Sequence, residues 1–439
     1  MSARAVSREM PGSTAWPGTR TALLLTEAAR RVYRGYVLGQ HEGSRTPEEG
    51  MTIQLPLDQA HPIRPPGNLR DLQAQGPVHR VRTAVGDPAW LVTGYRELQE
   101  LFGDSRLGRS HPEPGTAARW GDSMLHGGPQ GNYATEPEDH ARFRARVQPH
   151  FSPRRMRELR PRVEALTAEL IDQLAASQPP ADLTQALALP LPVAVICELL
   201  GVPLQDREMF REWTQSAADT RDRARSEHGL LSLYEYGQRL VARKHKEPGD
   251  DIISGWCADP EVPDDAVAML AMSLLWAGHE TTVYTIGIGA LMLLTQPEQW
   301  QALHADPALV PAAAEEALRA AGWGGTPLIR YARAEIKIAG STIAPGDLVL
   351  LHQGAANHDQ AIFDDPARFD IARQAGAHLA FGHGTHYCAG APLARIELQA
   401  AFGQLTSRFP RMQLAMPIEE LTVTDGLLLP GLTALHVTW

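Results

Sequence analysis

Cysteine is scarce in this chain of 439 residues, which carries only Cys197, Cys257 and Cys388. So few cysteines form neither a disulfide framework nor a paired metal-binding spacing, and we expect a reducing compartment, with the cytoplasm as the default. Basic residues are also in deficit, since 41 Lys and Arg face 51 Asp and Glu. The formal net charge of -10 argues against general binding to nucleic acid.

Internal repeats and low-complexity linkers are missing after about Met51. With 43% hydrophobic residues the chain can bury a large core, so we predict one domain over residues 51–439 with a small strand-rich portion. Residues 1–50 are predicted to be an N-terminal extension, either helical or partly disordered. Its apolar run at Leu23 to Leu25 is too short for a signal peptide, so we expect none. An amphipathic helix on a membrane surface is the alternative.

Apolar periodicity and turn residues predict helices interspersed with short strands. The predicted helices cover 69–75, 156–177, 190–200, 264–294 and 311–321, with another from Tyr95 and more between 206 and 246. Predicted strands cover 78–83, 89–92 and the stretch between 330 and 351. Residues 104–134 are predicted to be a long loop, and residues 425–439 a hairpin with an apolar tip.

The longest predicted helix begins at Pro263, has two aspartates in its first turn and continues to about Leu294, roughly 45 to 50 Å in length. It is apolar on every side except around His279 and Glu280. A membrane span is the weaker alternative, because basic anchors are missing at both ends and the polar centre would be costly in lipid. We therefore expect no transmembrane segment but a central core helix, in which Thr281 bonds back to the Ala277 carbonyl.

Cys388 lies in a glycine-rich stretch directly before a predicted helix with Pro392 in its first turn. The stretch runs from Phe381 to Gly390 and reads Phe-Gly-His-Gly-Thr-His-Tyr-Cys-Ala-Gly. Its glycines allow the backbone to fold around the sulfur and turn N–H groups toward it. The helix N-terminus is expected to lower the pKa of the thiol and favour the thiolate that binds metal. A buried, inert thiol is the alternative for a lone cysteine.

A basic segment contains eight arginines and only one acidic residue, Glu158, between His140 and Arg162. A solvated helical face is one interpretation. The other interpretation is that an anionic group lies beside the arginines, because like charges repel unless a group of opposite charge is close. His140 and Arg144 are four positions apart and share one face of the predicted helix.

The spacing Phe-Gly-x-Gly-x-His-x-Cys-x-Gly resembles the haem-binding loop of the haem-thiolate monooxygenases, the cytochrome P-450 family, in its soluble bacterial form. Two further motifs occur in the family's order. Residues 277–282, Ala-Gly-His-Glu-Thr-Thr, resemble the oxygen-binding groove, and Glu316-Ala-Leu-Arg319 resembles the ion-pair helix, whose pair would form a buried scaffold with Arg368. The resemblance covers about 51–439 and implies a mainly α fold with a minor β portion and a long central helix over the haem.

The resemblance also implies roles for individual residues. Cys388 would be the axial thiolate on the iron of haem b (iron protoporphyrin IX), where its electron donation favours O–O cleavage. Thr281 would orient dioxygen and Glu280 would feed protons inward through water, as the catalytic pair. The implied haem-binding residues are His140, Arg144, Ala277, Arg330, Phe381, His386 and Cys388. The candidate substrate contacts are Ser273, Trp276 and Leu328.

The implied activity is insertion of one oxygen atom of O2 into an apolar small molecule, such as a natural-product intermediate. A Gly-rich dinucleotide fingerprint and a fused flavin region are missing, so electrons would come from a separate ferredoxin and ferredoxin reductase. Outward arginines such as Arg142, Arg146 or Arg155 could receive an acidic ferredoxin, and the enzyme is expected to be a monomer. A peroxide-driven peroxygenase and a non-catalytic haem protein that senses a small ligand are the alternatives.

Overall fold

The computed structural model describes residues 53–55 and 61–439, and the predicted extension 1–50 lies outside these described residues. Most of the described chain is helical. In chain order the α-helices are α1 (Gly67–Gln75), α2 (Tyr95–Gly103), α3 (Glu136–Val147), α4 (Pro153–Ala176), α5 (Pro190–Leu200), α6 (Arg207–Ala217), α7 (Arg223–Lys246), α8 (Ile252–Cys257), α9 (Asp264–Leu294), α10 (Pro297–Ala305), α11 (Val310–Ala320), α12 (Gln353–Ala356) and α13 (Ala391–Arg408).

Short strands form three small sheets beside the helices. In chain order they are β1 (Ile53–Gln54), β2 (Val78–Arg82), β3 (Pro88–Val92), β4 (Leu107–Gly108), β5 (Ala181–Asp182), β6 (Leu328–Ala332), β7 (Ile336–Ile338), β8 (Ser341–Ile343), β9 (Leu348–Leu351), β10 (Gln413–Leu414) and β11 (His436–Thr438). The largest sheet has the order β1-β2-β3-β9-β6-β4, and the others are β10-β11-β5 and β7-β8. The predicted mainly α fold with a minor β portion is confirmed.

Helix α9 is the centre of the core, as its sequence predicts. It spans 31 residues, roughly 46 Å, and begins after Pro263 with Asp264 and Asp265 in its first turn. Helices α5, α7, α11 and α13 pack around it, which explains why its apolar residues are buried on every side. No helix within 53–55 and 61–439 combines the length and the apolar character that crossing a bilayer requires.

The C-terminal segment differs from the predicted hairpin over 425–439. Strand β11 pairs with β10 and β5, so its partners lie far away in the sequence. The local hairpin is shorter and begins earlier, with an isolated bridge between Val423 and Leu432. Alternating residues indicated a strand correctly, but the choice of partner depends on how the whole chain folds.

A buried ion cluster joins α11 to the segment that follows β9. Glu316 and Arg319 are fully buried and lie 2.7 Å apart, as the sequence predicts. The prediction that Arg368 is the third member of the cluster is wrong, because the Arg368 side chain is 63% exposed and pairs with Asp370. Arg373 supplies the second guanidinium instead, with Nε 3.2 Å from Glu316 Oε1, whereas Arg368 accepts a hydrogen bond from Arg319 only through its backbone carbonyl. The cluster pins this segment against the core.

Candidate active site

The Cys388 loop is a tight turn closed by backbone hydrogen bonds. The Cys388 N–H donates to the Phe381 carbonyl at 2.9 Å. Gly382 and Gly384 have φ values of 71° and 69°, which side-chain-bearing residues rarely adopt. A Cβ on Gly384 would also lie 3.0 Å from the Phe102 carbonyl oxygen of α2. The two glycines therefore hold the loop in the shape that presents Cys388.

Cys388 has exposed surface at the end of this loop, just before α13, although many protein atoms lie around its sulfur. The backbone N–H groups of Gly390 and Ala391 point to the sulfur, as predicted, and they lower the pKa of the thiol. The expected net decrease is wrong, however, because desolvation by the surrounding protein is the larger effect and raises the thiol pKa above its ordinary value. A cation at the sulfur would be needed to favour the thiolate over the thiol.

The middle of α9 is open although most residues from Val267 to Leu275 and from Ile286 to Leu294 are buried. Ala277 and Thr281 are exposed and lie one turn apart, so they face the same side. The Thr281 hydroxyl donates to the Ala277 carbonyl at 3.0 Å, which confirms the predicted back-bond. Gly278 faces another helix, and a Cβ there would come within 2.6 Å of Ile196 Cδ1 in α5. These small and polar residues leave a cleft against the helix.

Glu280 points away from this open face, because successive helical residues differ by about 100°. Its Oε1 lies 3.2 Å from Nε2 of the neighbouring His279 and 3.4 Å from the Thr214 hydroxyl of α6. His279 is fully buried, and its ring packs edge-to-face on Phe210. Glu280 and Thr281 therefore belong to two different environments on one helix.

Positive charge is concentrated beside the Cys388 loop. The rings of His140 and His386 lie 3.9 Å apart between their centroids. Arg330 is 7% exposed, and burial together with Arg109 lowers its pKa to about 10. Burial, Arg330 and His140 lower the pKa of His386 to about 3. Glu136, the carboxylate that acts on both Arg330 and His386, is already bound by other partners, among them Arg333 at 2.8 Å. The Arg330 guanidinium is therefore suited to an external anion, to which the two histidines beside it can donate hydrogen bonds.

Arg144 and Phe381 support the cysteine loop itself. The Arg144 Nη1 donates to the Tyr387 carbonyl at 2.8 Å, which ties α3 to the residue before Cys388. The Arg395 guanidinium lies 4.7 Å from the centroid of the Phe381 ring. Arg144 thus holds the loop from α3, and Arg395 of α13 holds Phe381 at the start of the loop.

The three candidate substrate contacts lie in different surroundings. Ser273 is one turn before Ala277 on α9, and its hydroxyl is used in a 2.8 Å bond to the Met269 carbonyl. Trp276 has a buried indole Nε1 that finds no hydrogen-bonding partner among the described residues. Leu328 begins β6 and is partly buried against the sheet.

Sequence reasoning missed three residues close to this site. Arg109 and His126 come from the long loop after α2; both bear on Arg330 electrostatically, and burial lowers the pKa of His126 to about 3. Glu397 is buried in α13 close to Thr282. A lone glutamate among apolar residues was a detectable signal for Glu397, whereas the loop residues carry no periodic pattern.

These observations fit a haem-thiolate group by its donor chemistry. An exposed thiol at a helix N-terminus can ligate iron, and the helix α9 cleft is lined by small residues. The buried Arg330 guanidinium makes one described hydrogen bond, to the Ile329 carbonyl. Its other N–H groups can therefore bind the carboxylates of a porphyrin. The stacked rings of His140 and His386 lie beside this guanidinium and can donate hydrogen bonds to the same carboxylates.

Comparison with known proteins agrees with this chemistry. The family model for cytochrome P-450 matches residues 251–430. Pentalenolactone synthase of Streptomyces exfoliatus is 42% identical over 394 residues, which cover 88% of this chain and 99% of that protein. The chain belongs to the cytochrome P-450 family. This P-450 is also 39% identical to the mycinamicin IV hydroxylase/epoxidase of Micromonospora griseorubida over 391 residues, 88% of this chain and 98% of the relative.

Solved structures show the same relationship. A putative thioether synthase of griseoviridin tailoring superimposes on this P-450 with a TM-score of 0.83 at 34% identity, covering 89% of this chain and all of that one. The substrate-free pimaricin epoxidase gives a TM-score of 0.79 at 37% identity, over 89% of this chain and 100% of its own. The P-450 fold and a monooxygenase activity with a haem-thiolate cofactor follow from membership of the family.

Proposed function

We propose that this P-450 inserts one oxygen atom of O2 into an apolar natural-product intermediate, using electrons from a separate ferredoxin and ferredoxin reductase. The observation that carries the proposal is the exposed Thr281 beside Glu280 in the open middle of α9, in a chain that also presents Cys388 on a haem-binding loop. The relatives named for pentalenolactone and mycinamicin IV support a natural-product substrate. The proposed enzyme is a cytoplasmic monomer of one domain over residues 51–439.

Haem b, when bound, would supply the activation of dioxygen and the oxidation of a C–H or C=C bond. Cys388 would ligate its iron, with Phe381 and Ala277 against the macrocycle. His140, Arg144, Arg330 and His386 would bind its carboxylates, the arginines by charge and the histidines by hydrogen bonds. The raised pKa of the free Cys388 thiol makes uptake of the cofactor coupled to release of the thiol proton.

Thr281 and Glu280 divide the handling of protons. The Thr281 hydroxyl donates to the Ala277 carbonyl, so its oxygen lone pairs remain available to accept a hydrogen bond on the open side of the helix. Glu280 would take up a proton on the side facing α6, where its Oε1 lies 3.4 Å from the Thr214 hydroxyl. A water molecule would carry that proton between the two residues.

The substrate would lie along the same open face of α9. Ser273 presents its Cβ because its hydroxyl already bonds to Met269, and Trp276 offers a large apolar ring. Leu328 would complete the wall from β6. Such a lining selects an apolar molecule by excluding water rather than by many polar contacts.

Electrons would enter at the outer side of the cysteine loop. A depression of about 500 Å³ there is lined by Arg144, Phe151, Tyr387, Cys388 and Pro392, among others.

Five of the eight arginines predicted to form a basic face are ion-paired with acidic neighbours, and Arg142 and Arg155 are among them. Arg146 is half-buried, and its guanidinium contacts the Glu261 carbonyl. Arg154 is exposed, and its surface ion pair with Glu158 is weak. Its guanidinium can therefore leave Glu158 and bind an acidic group of a ferredoxin.

Reconstitution tests the proposal. The enzyme, a bacterial ferredoxin, ferredoxin reductase and NADPH are combined with isotopically labelled O2 and a panel of natural-product intermediates that shift the Soret band. We expect one labelled oxygen atom in the product and consumption of NADPH, both lost when ferredoxin is omitted. Product formed only with hydrogen peroxide would indicate a peroxygenase instead. Ligand binding without any product from any panel member would favour a haem sensor.

A matched pair of variants separates the catalytic threonine from its neighbour. Thr281→Ala should retain haem content and the substrate-induced Soret shift while NADPH is consumed without product, because the hydroxyl on the open face is lost. Thr285→Ala, one turn along the same face, is the control, because among the described residues the hydroxyl it removes bonds to the Thr281 carbonyl alone. Equal product per NADPH in Thr281→Ala and wild type would exclude the assigned role.

A further inference from the structure

The Arg395 guanidinium contacts the cysteine loop at both of its ends. Its Cζ lies 4.7 Å from the centroid of the Phe381 ring, where the loop begins. Its Nη1 donates at 3.3 Å to the hydroxyl of Tyr387, the residue before Cys388. Burial raises the pKa of Cys388, whereas the charge of Arg395, like that of Arg144, lowers it. Arg395 is therefore a positive charge held close to the sulfur.

The carboxylate of Glu315 on α11 binds the same guanidinium through two hydrogen bonds. Arg395 donates from Nε at 2.7 Å and from Nη2 at 2.9 Å. The side chains of Arg395 and Glu315 are only 29% and 21% exposed, so solvent screens the pair in part. Glu315 therefore fixes the direction of the guanidinium and offsets part of its positive charge.

A neighbouring histidine, His378, keeps this carboxylate ionised. The Ala380 N–H donates to His378 Nδ1 at 3.2 Å, so the proton of the neutral ring is on Nε2. Nε2 lies 3.2 Å from Glu315 Oε2 and donates to it. Burial raises the pKa of Glu315, but the hydrogen bonds from His378 and Arg395 together outweigh burial and lower it to about 2. A full negative charge therefore lies next to Arg395 at neutral pH.

We propose that the ion pair of Glu315 and Arg395 sets the charge that acts on the Cys388 sulfur and, through it, the reduction potential of the bound haem iron. Glu315 is a positioning residue that acts through Arg395. This inference rests on the proposed function, in which Cys388 is the iron ligand. Reduction adds one electron at the iron, so a positive charge nearby favours the reduced form and a negative charge opposes it. The two side chains therefore act in opposite directions.

Three variants separate this electrostatic role from a structural one. Glu315→Gln keeps the shape of the side chain and an oxygen that can accept from Arg395, but it removes the negative charge. Arg395→Gln removes the positive charge, and the double variant removes both. In a redox titration of substrate-free holoenzyme, we expect the ratio of ferrous to ferric protein at a fixed potential to rise roughly tenfold in Glu315→Gln. The ratio should fall in Arg395→Gln, and the double variant should lie between the two.

The infrared stretch of CO on the ferrous protein is a second measurement. It should move to higher frequency in Glu315→Gln and to lower frequency in Arg395→Gln, because a thiolate that donates less leaves less electron density for the bound CO. Glu335→Gln is the control for net charge, since Glu335 forms an exposed pair with Lys337 in the sheet region, and it should change neither measurement.

Opposite shifts in the two single variants distinguish charge from structural damage, which would move both variants in the same direction. Shifts of the same sign, or none, with the red-shifted Soret band of thiolate ligation intact, would overturn this proposal and leave the proposed function standing. If Arg395→Gln does not fold, a double variant that fails to reverse the shift of Glu315→Gln would overturn it equally. A wild-type CO spectrum typical of histidine ligation would overturn the proposed function and this inference together.

Discussion

Glu397 is a carboxyl group in the core of the protein, at 1% exposure on α13. Neither oxygen forms a hydrogen bond of normal geometry with a described residue, although the Thr282 hydroxyl is close enough to lower the pKa slightly. Burial is the larger effect and raises the pKa of Glu397 to about 8. The group is therefore mainly protonated at neutral pH. Thr282 is buried beside it.

The pH dependence of stability follows from this shift. Because the pKa of this carboxyl group is higher in the folded than in the unfolded state, the group stabilises the protein fully at pH values below its pKa in the unfolded chain. That contribution is lost as the pH rises toward about 8, the pKa in the folded protein. Glu397→Gln keeps the shape and removes the titration. We expect urea unfolding to give similar free energies for variant and wild type near pH ~5, and a variant more stable by up to roughly 4 kcal/mol near pH ~9. Glu420→Gln, at an exposed position, is the control, and parallel pH profiles for Glu397→Gln and wild type would contradict the assignment.

At the scale of elements, the ion cluster of α11 predicts a strong contrast between two neighbouring substitutions. Glu316→Gln leaves the buried Arg319 and the nearby Arg373 without their carboxylate, which should cost about 3 to 5 kcal/mol in the free energy of unfolding. Arg368→Gln removes only an exposed pair and should change stability by less than about 0.5 kcal/mol. Chemical denaturation of both variants checks this, and a large loss in Arg368→Gln would restore the sequence-based assignment.

Elements defined by local pattern were predictable from the sequence, and choices between distant partners were not. The bounds of α9 follow from an apolar run that begins after Pro263, and the glycine spacing around Cys388 predicts its turn. Arg368 and Arg373 are both near the motif, however, and only the path of the folded backbone decides which one reaches Glu316. The partners of β11 and the desolvation of the Cys388 thiol likewise arise from long-range packing.

At the scale of the whole molecule, a net charge of -10 coexists with an exposed Arg154, which follows Pro153 in the lining of the depression at Cys388. If ferredoxin docks there, raising the salt concentration should increase its KM, because exposed charges are screened over about 8 to 10 Å. Arg154→Glu should increase that KM at low salt with little change in substrate binding. Lys337→Glu, an equally exposed change on β7 in the sheet region, is the control. Equal effects of both variants would place the docking surface elsewhere.

The assignment of Cys388 as the thiolate ligand is the central claim, and the spectrum of the ferrous, CO-bound protein tests it most directly. Wild type should show the red-shifted Soret band of thiolate ligation, and Cys197→Ala and Cys257→Ala should keep it, because Cys197 lies in the buried interior of α5 and Cys257 ends α8, both outside the glycine-rich loop before α13. Cys388→Ala should lose the band. A wild-type spectrum typical of histidine ligation, or a thiolate band that persists in Cys388→Ala, would contradict the account.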